Sequence, residues 1–191
     1  MADSGRQFSR ARPFLGLALA VLGLAGAFGL YFFVNPSSPY GGLVISEVMT
    51  SNGETIADED GDFRDWLELE NRGSSEIDLS GVLVERDGDA SWEFPPIILS
   101  PGDRLLIWAS SKDRSDPTSD LHTSFRLSRD GVRLELRSPE ATLIHQMSVP
   151  ALARDATFGL HPAFSEVLCF FPEPTPGSQN SNMCIEEART R

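Results

Sequence analysis

The chain reads as all-β: a β-sandwich preceded by a single N-terminal transmembrane helix. Three observations carry that reading. From Leu43 onward apolar residues recur with a period near two, in short pieces. Turn residues such as Asn71-Arg72-Gly73, Asp87-Gly88, Pro101-Gly102 and Asp130-Gly131 divide those pieces at fairly regular spacing. Ahead of them, Phe14 to Val34 contains no charged residue.

Residues 1–13 carry Arg6, Arg10 and Arg12 against Asp3 alone, which by the positive-inside rule leaves them in the cytoplasm. The apolar run 14–34 then spans about 30 Å as a helix, the thickness of a hydrocarbon core. Tyr31, Phe32 and Phe33 stand where an aromatic belt would lie. A cleaved signal peptide is the alternative, with Ala25-Gly26-Ala27 as a small-residue cleavage site. Either way, everything after Asn35 is expected outside the cytoplasm, at a periplasmic face or the cell surface. Residues 35–42, rich in Pro, Ser and Gly, read as a linker.

Gly131 to Arg137 is the clearest strand, with Val132, Leu134 and Leu136 facing inward and Arg133, Glu135 and Arg137 outward. Trp66 to Glu70 alternates likewise, with Leu67 and Leu69 inward. Val82-Leu83-Val84 and Leu105 to Ala109 are apolar on both faces, as central strands are. Leu43 to Met49, Leu121 to Leu127 and Thr142 to Val149 are further strands; weaker ones lie near Trp92-Glu93-Phe94, Thr157-Phe158-Gly159 and Val167 to Phe170. No segment after the apolar run shows a 3.6-residue stripe. Residues 43–180 therefore form one sandwich domain, and 181–191 a tail.

The 191 residues carry a formal charge of -12. Setting aside the four charges of residues 1–13 leaves 13 basic and 27 acidic groups. A field of that sign repels phosphate backbones, so no nucleic-acid partner is expected.

Several blocks are similar to a known pattern. Asp58-Glu59-Asp60-Gly61-Asp62-Phe63-Arg64-Asp65-Trp66-Leu67-Glu68-Leu69-Glu70-Asn71 resembles an acidic loop and strand of bacterial lamin-tail domains. Asp78-Leu79-Ser80-Gly81, Leu99-Ser100-Pro101-Gly102, Trp108-Ala109-Ser110 and Leu121-His122-Thr123-Ser124-Phe125-Arg126-Leu127-Ser128 follow in order, and Pro174-Thr175-Pro176-Gly177 with Asn180 resembles a closing motif. The resemblance covers Leu43 to Asn180. It implies an immunoglobulin-like sandwich that acts as an interaction module. The coiled-coil rod of a lamin and a companion catalytic domain are both missing.

The acidic loop is the foremost candidate site. Asp58, Asp60, Asp62 and Asp65 have the spacing D-x-D-G-D-x-x-D, and carboxylates two residues apart can converge on one Ca²⁺. Gly61 lets the loop bend. The alternative is a solvated loop in which Asp62 or Asp65 pairs with Arg64 or a backbone amide. Trp66, Trp92 and Trp108 offer a second site: Trp66 opposes Leu67, so it is expected on the outer face as a platform for a glycan, giving a carbohydrate-binding module as the rival function. His122, His145 and His161 show no ligand spacing; His145 is in phase with Leu143, Met147 and Val149 and so is expected to be partly buried. A hydrolase would need one of them beside a Ser or carboxylate in a concave pocket. No hydrolase or phosphate-loop motif is present, and no enzyme is expected. Cys169 and Cys184, both beyond the anchor, are expected to form a disulfide closing a loop of about 15 residues, worth ~3 kcal/mol in the chain-entropy model; two free thiols are the alternative. The function expected is a membrane-anchored, non-catalytic binding or scaffolding module for a protein or glycan partner.

Overall fold

A computed structural model describes residues 38–183 and residue 185. Its strands run β1 (Leu43–Met49), β2 (Asp65–Asn71), β3 (Ile77–Asp78), β4 (Leu83–Arg86), β5 (Ala90–Glu93), β6 (Ile98–Leu99), β7 (Arg104–Ala109), β8 (Leu121–His122), β9 (Val132–Arg137), β10 (Leu143–Val149), β11 (Thr157–Leu160) and β12 (Leu168–Phe171). Six of them form one sheet in the order β12-β11-β1-β2-β7-β8, and four form a second in the order β10-β9-β4-β5. β3 and β6 pair by themselves. Among the described residues no helix is long and apolar enough to cross a membrane. The predicted transmembrane helix, 14–34, lies outside those residues.

Alternation decides the core. Leu67 and Leu69 of β2, Ile45 and Val48 of β1 and Ile107 of β7 meet Val84, Leu134, Leu136 and Met147 of the second sheet, and all are buried. Removing such side chains from water is worth about 1.5–3 kcal/mol apiece. A bulge at Ser46 interrupts the β1–β2 register between Ile45 and Glu47. His145 of β10 reaches that bulge from the opposite sheet, and its Nδ1 accepts the Ile45 N–H at 3.3 Å.

The six-stranded sheet is also covered on its outer face, which the period-two pattern assigns to water. Over one half, residues 50–64 fold back so that Ile56, like Leu106 of β7, packs on the cluster of Met49, Trp66 and Trp108. Over the other half, residues 172–180 are tied to Glu47 and Glu68 through Thr175 and Gly177. Trp66 thus lies on the outer face as its phase requires, yet it is fully buried.

Leu121 to Leu127 is strand only at Leu121–His122. Thr123 N–H still reaches the Trp108 carbonyl at 2.8 Å, but Ser124 Oγ already bonds the Ser91 carbonyl of β5. The segment crosses from one sheet to the other, where this side-chain bond meets the β5 edge.

Candidate functional site

The loop 50–64 connects β1 to β2, and 110–126 follows β7; antiparallel β1, β2 and β7 put both at one end of the sandwich. That end lies the length of β1, about 20 Å, from the end at which residues 38–43 join the domain.

The acidic loop is a tight turn built by Asp58. Its Oδ1 accepts the N–H groups of Asp60 at 3.1 Å and Asp62 at 2.9 Å, and its own N–H bonds the Asp62 carbonyl at 2.9 Å. Gly61 makes the bend at φ 82°, where a Cβ would be strained. The turn aims three carboxylates at one point, with ligand atoms within 4.8 Å of one another, as the D-x-D-G-D spacing predicts.

At that point stands Lys112. Its Nζ lies 2.5 Å from Asp58, 2.6 Å from Asp60 and 3.1 Å from Asp62. Burial pulls the ammonium pKa down, but the hydrogen bonds to the three aspartates outweigh it and hold the group well above the usual lysine range. Asp60 is pulled down to about 2, first by the Lys112 hydrogen bond and then by that of Arg114. Lys112 is the one lysine of the chain; every other basic side chain outside histidine is arginine. A compact ammonium with three donors suits three converging oxygens, and a planar guanidinium does not. The backbone on both sides is bent to deliver it, with Ser111 at φ 63° and Asp113 at φ 54°, conformations that non-glycine residues adopt at a cost of about 1 kcal/mol each.

Asp65 stands apart from this cluster, a correction to the four-aspartate set. It sits at the start of β2, where its Oδ1 accepts the Asn52 N–H at 3.1 Å, and burial raises its pKa. Asn52 then holds the base of the loop through the carbonyls of Ile56 and Arg64, at 2.8 and 2.7 Å. Asp62 also pairs with Arg64 at 2.9 Å.

Beside the lysine runs a second chain of contacts. Glu59 accepts from Arg114 and lies 2.9 Å from His122 Nε2; His122 Nδ1 lies 2.8 Å from Ser110 Oγ. The His122 ring thus bridges the Glu59 carboxylate and the Ser110 hydroxyl, and Ser110 Oγ also accepts the Lys112 backbone N–H at 3.1 Å. These are the residue types of an acyl-transfer triad, but Ser110 and His122 are 3% and 0% exposed. The nucleophile is presented to packed protein rather than to a substrate. The arrangement braces the turn that carries Lys112. The other histidines lie elsewhere: His145 in the core, and His161 after β11, where its Nδ1 accepts the Ala163 N–H at 3.1 Å.

The exposed tryptophan platform is not there. Trp66, Trp92 and Trp108 are 0%, 5% and 3% exposed. Their phase was readable; the loop that covers them was not. Two exposed phenylalanines stand among the described residues: Phe63, directly after the acidic turn and 47% exposed, and Phe164, after β11 and 61% exposed. Cys169 is buried on β12. Cys184 lies outside the described residues.

Lys112, Arg114, Ser110 and Glu59 were not singled out by sequence reasoning. The signal available was the solitary lysine two residues before an arginine, directly after a strand that neighbours the acidic one.

The model of the lamin tail domain family matches residues 36–151. The chain belongs to this family. The match takes in the acidic loop, Lys112 and His122, and with them the immunoglobulin-like sandwich expected from the resemblance. The domain itself runs further, because β11 pairs with β1 inside the same sheet and β12 follows it. No curated protein matches the chain.

Proposed function

We propose that this lamin tail domain is a membrane-anchored, non-enzymatic binding module that recognises its partner with the end carrying the acidic loop. The observation that carries the reading is Phe63: an exposed aromatic side chain directly after the turn whose three aspartates Lys112 holds. At the same end Arg114 pairs with Glu59 and Asp60, with side chains 42%, 37% and 41% exposed. An exposed aromatic group and half-exposed charges at one end of the domain suit a protein partner with an apolar pocket and a charged rim. A photo-crosslinking residue at position 63, tested in cells, should give an adduct that the same residue at exposed Glu76, at the opposite end, does not. Equal adducts at both positions would overturn the reading.

The anchor is the run 14–34, with Arg6, Arg10 and Arg12 holding the N-terminus in the cytoplasm and the domain outside it. Protease added to intact cells should remove the domain and spare residues 1–13. In the acidic loop we assign the role of Ca²⁺ to the Lys112 ammonium. Calorimetric titration of the wild-type chain with millimolar Ca²⁺ should give no heat, and a saturable heat would restore the metal reading. We further propose the Cys169–Cys184 disulfide. Its support is the return of the tail to β12, where Phe170 and Ile185 exchange N–H···O bonds of 3.1 and 3.4 Å. Thiol alkylation without reductant should leave both cysteines unmodified.

A further inference from the structure

The outer face of the six-stranded sheet holds a second charged feature, at the other side from the acidic loop. Glu47 of β1 and Glu68 of β2 are direct cross-strand partners, and both are 0% exposed. What buries them is the segment 172–180 that follows β12. Thr175 donates its N–H and hydroxyl to Glu47, at 3.2 and 2.9 Å, and Gly177 donates its N–H to Glu68 at 2.6 Å. Asn180 closes the segment by donating Nδ2 to the carbonyls of Ser46 and Leu160, both at 2.9 Å. That last contact needs a glycine beneath it. A Cβ on Gly159 would fall 2.2 Å from the Ser46 carbonyl oxygen and 3.1 Å from Asn180 Nδ2.

Two like charges this close and this dry are poorly compensated. From the neighbouring strands, Thr157 Oγ1 of β11 donates to Glu47 at 2.5 Å and Ser46 Oγ of β1 to Glu68 at 2.7 Å. The cation at hand is Arg104 of β7, with Nε 3.6 Å from Glu68, and its Nη2 is committed to Glu70 of β2. Arg72 is committed to Glu70 as well, and through Nη1 to the His161 carbonyl beyond β11. The segment itself brings Glu173, which is exposed.

We propose that residues 172–180 form a proton-linked strap, docked over Glu47 and Glu68 while the pair holds a proton and loosened when both carboxylates ionise, so that rising pH opens an acidic groove on this face. Burial pushes Glu68 up to about 7 and raises Glu47 as well. A lifted strap lets water reach both groups and returns them toward the ordinary carboxylate range. The docked state therefore holds more protons than the lifted one, and deprotonation favours lifting. For a single group moving between about 4.5 and about 7, the lifted population rises about tenfold from pH 6 to pH 8.

Hydrogen exchange of the 174–180 backbone in the full chain, corrected for the intrinsic rate at each pH, reads this directly. The wild type should open about tenfold more at pH 8 than at pH 6. Glu68→Gln should erase that ratio, and Glu47→Gln is the second arm should the first variant not fold. Asn180→Ala should raise opening at both pH values and keep the ratio. Protection of the β1 and β2 amides reports in every variant whether the sheet itself is intact. A wild-type ratio near one, or a ratio that survives in a folded Gln variant, would overturn the proposal.

Discussion

Removing the ammonium of Lys112 tests the organisation of the acidic loop. In Lys112→Met the stem still packs, but the Asp58 carboxylate, whose side chain is 0% exposed, loses the group 2.5 Å away. Breaking a fully buried pair costs about 3–5 kcal/mol. The Lys112 side chain is 16% exposed and those of Asp60 and Asp62 more than a third, so water screens part of the loss. The Asp58 bonds to the Asp60 and Asp62 amides also survive. A loss of about 2 kcal/mol is expected, and at about 3 °C per kcal/mol for a domain of this size it lowers Tm by ~6 °C. The variant also leaves three carboxylates aimed at an empty point. With a Kd of about 0.1–1 mM, ~10 mM Ca²⁺ should return about 1.4–2.7 kcal/mol, close to what was lost. Lys112→Arg should not rescue, because its planar fork cannot offer three convergent donors. Thermal melts of wild type and both variants, with and without Ca²⁺, decide the matter. If Lys112→Met melts with the wild type, or if Ca²⁺ stabilises the wild type as much as the variant, the lysine does not occupy the site.

Other perturbations follow from the same contacts. His145 is buried and its pKa is lowered to about 4, by desolvation first and then by Arg72. A depressed histidine stabilises fully above its unfolded value near 6.5, and that contribution is lost as pH falls toward 4; the stake is about 3 kcal/mol. Denaturant melts from pH 7 to 4 should show that slope, and His145→Gln, which keeps an acceptor for Ile45 N–H, should flatten it. Trp66→Ala removes the centre of the small outer core and should cost about 3–5 kcal/mol by urea unfolding, with no effect on glycan-array binding. Gly159→Ala meets Ser46 backbone at 2.2 Å and should fail to form the β1–β11 pairing, read as lost amide protection in Thr157–Leu160.

Period-two patterning located the strands because burial between two sheets is a local property of each strand. Leu43–Met49 has the bounds the alternation predicts, and the strands at Trp66, Leu105, Val132 and Leu143 agree to within a residue or so. The two-residue strands Ile77–Asp78 and Ile98–Leu99 are too short to carry a period at all. The pattern also names a face correctly: Trp66 does point away from the inter-sheet core. It cannot say what covers a face. The covering segments are 50–64 and 172–180, and the second is more than a hundred residues from the glutamates it buries. The same distance in sequence hid the site. The aspartate spacing predicted convergence, but the cation at its centre comes from residue 112, beyond β7, the strand that pairs with β2.

The two carboxylate clusters solve one electrostatic problem in opposite ways. At the acidic loop, three carboxylates meet a full counter-charge supplied by the fold, so the turn is fixed over the physiological pH range. Under the strap, two carboxylates meet neutral donors and one distant, shared guanidinium, so the cheapest counter-charge is a proton. An ion pair of that first kind gives a rigid mount for Phe63, and a proton of the second kind can leave when the solution changes. Rigidity therefore belongs to the end that carries the acidic loop, and sensitivity to the face beside β11 and β12. Swapping the two solutions is an informative experiment: Thr157→Lys places an ammonium beside Glu47, and it should abolish the pH dependence of strap opening while leaving the loop around Lys112 unchanged.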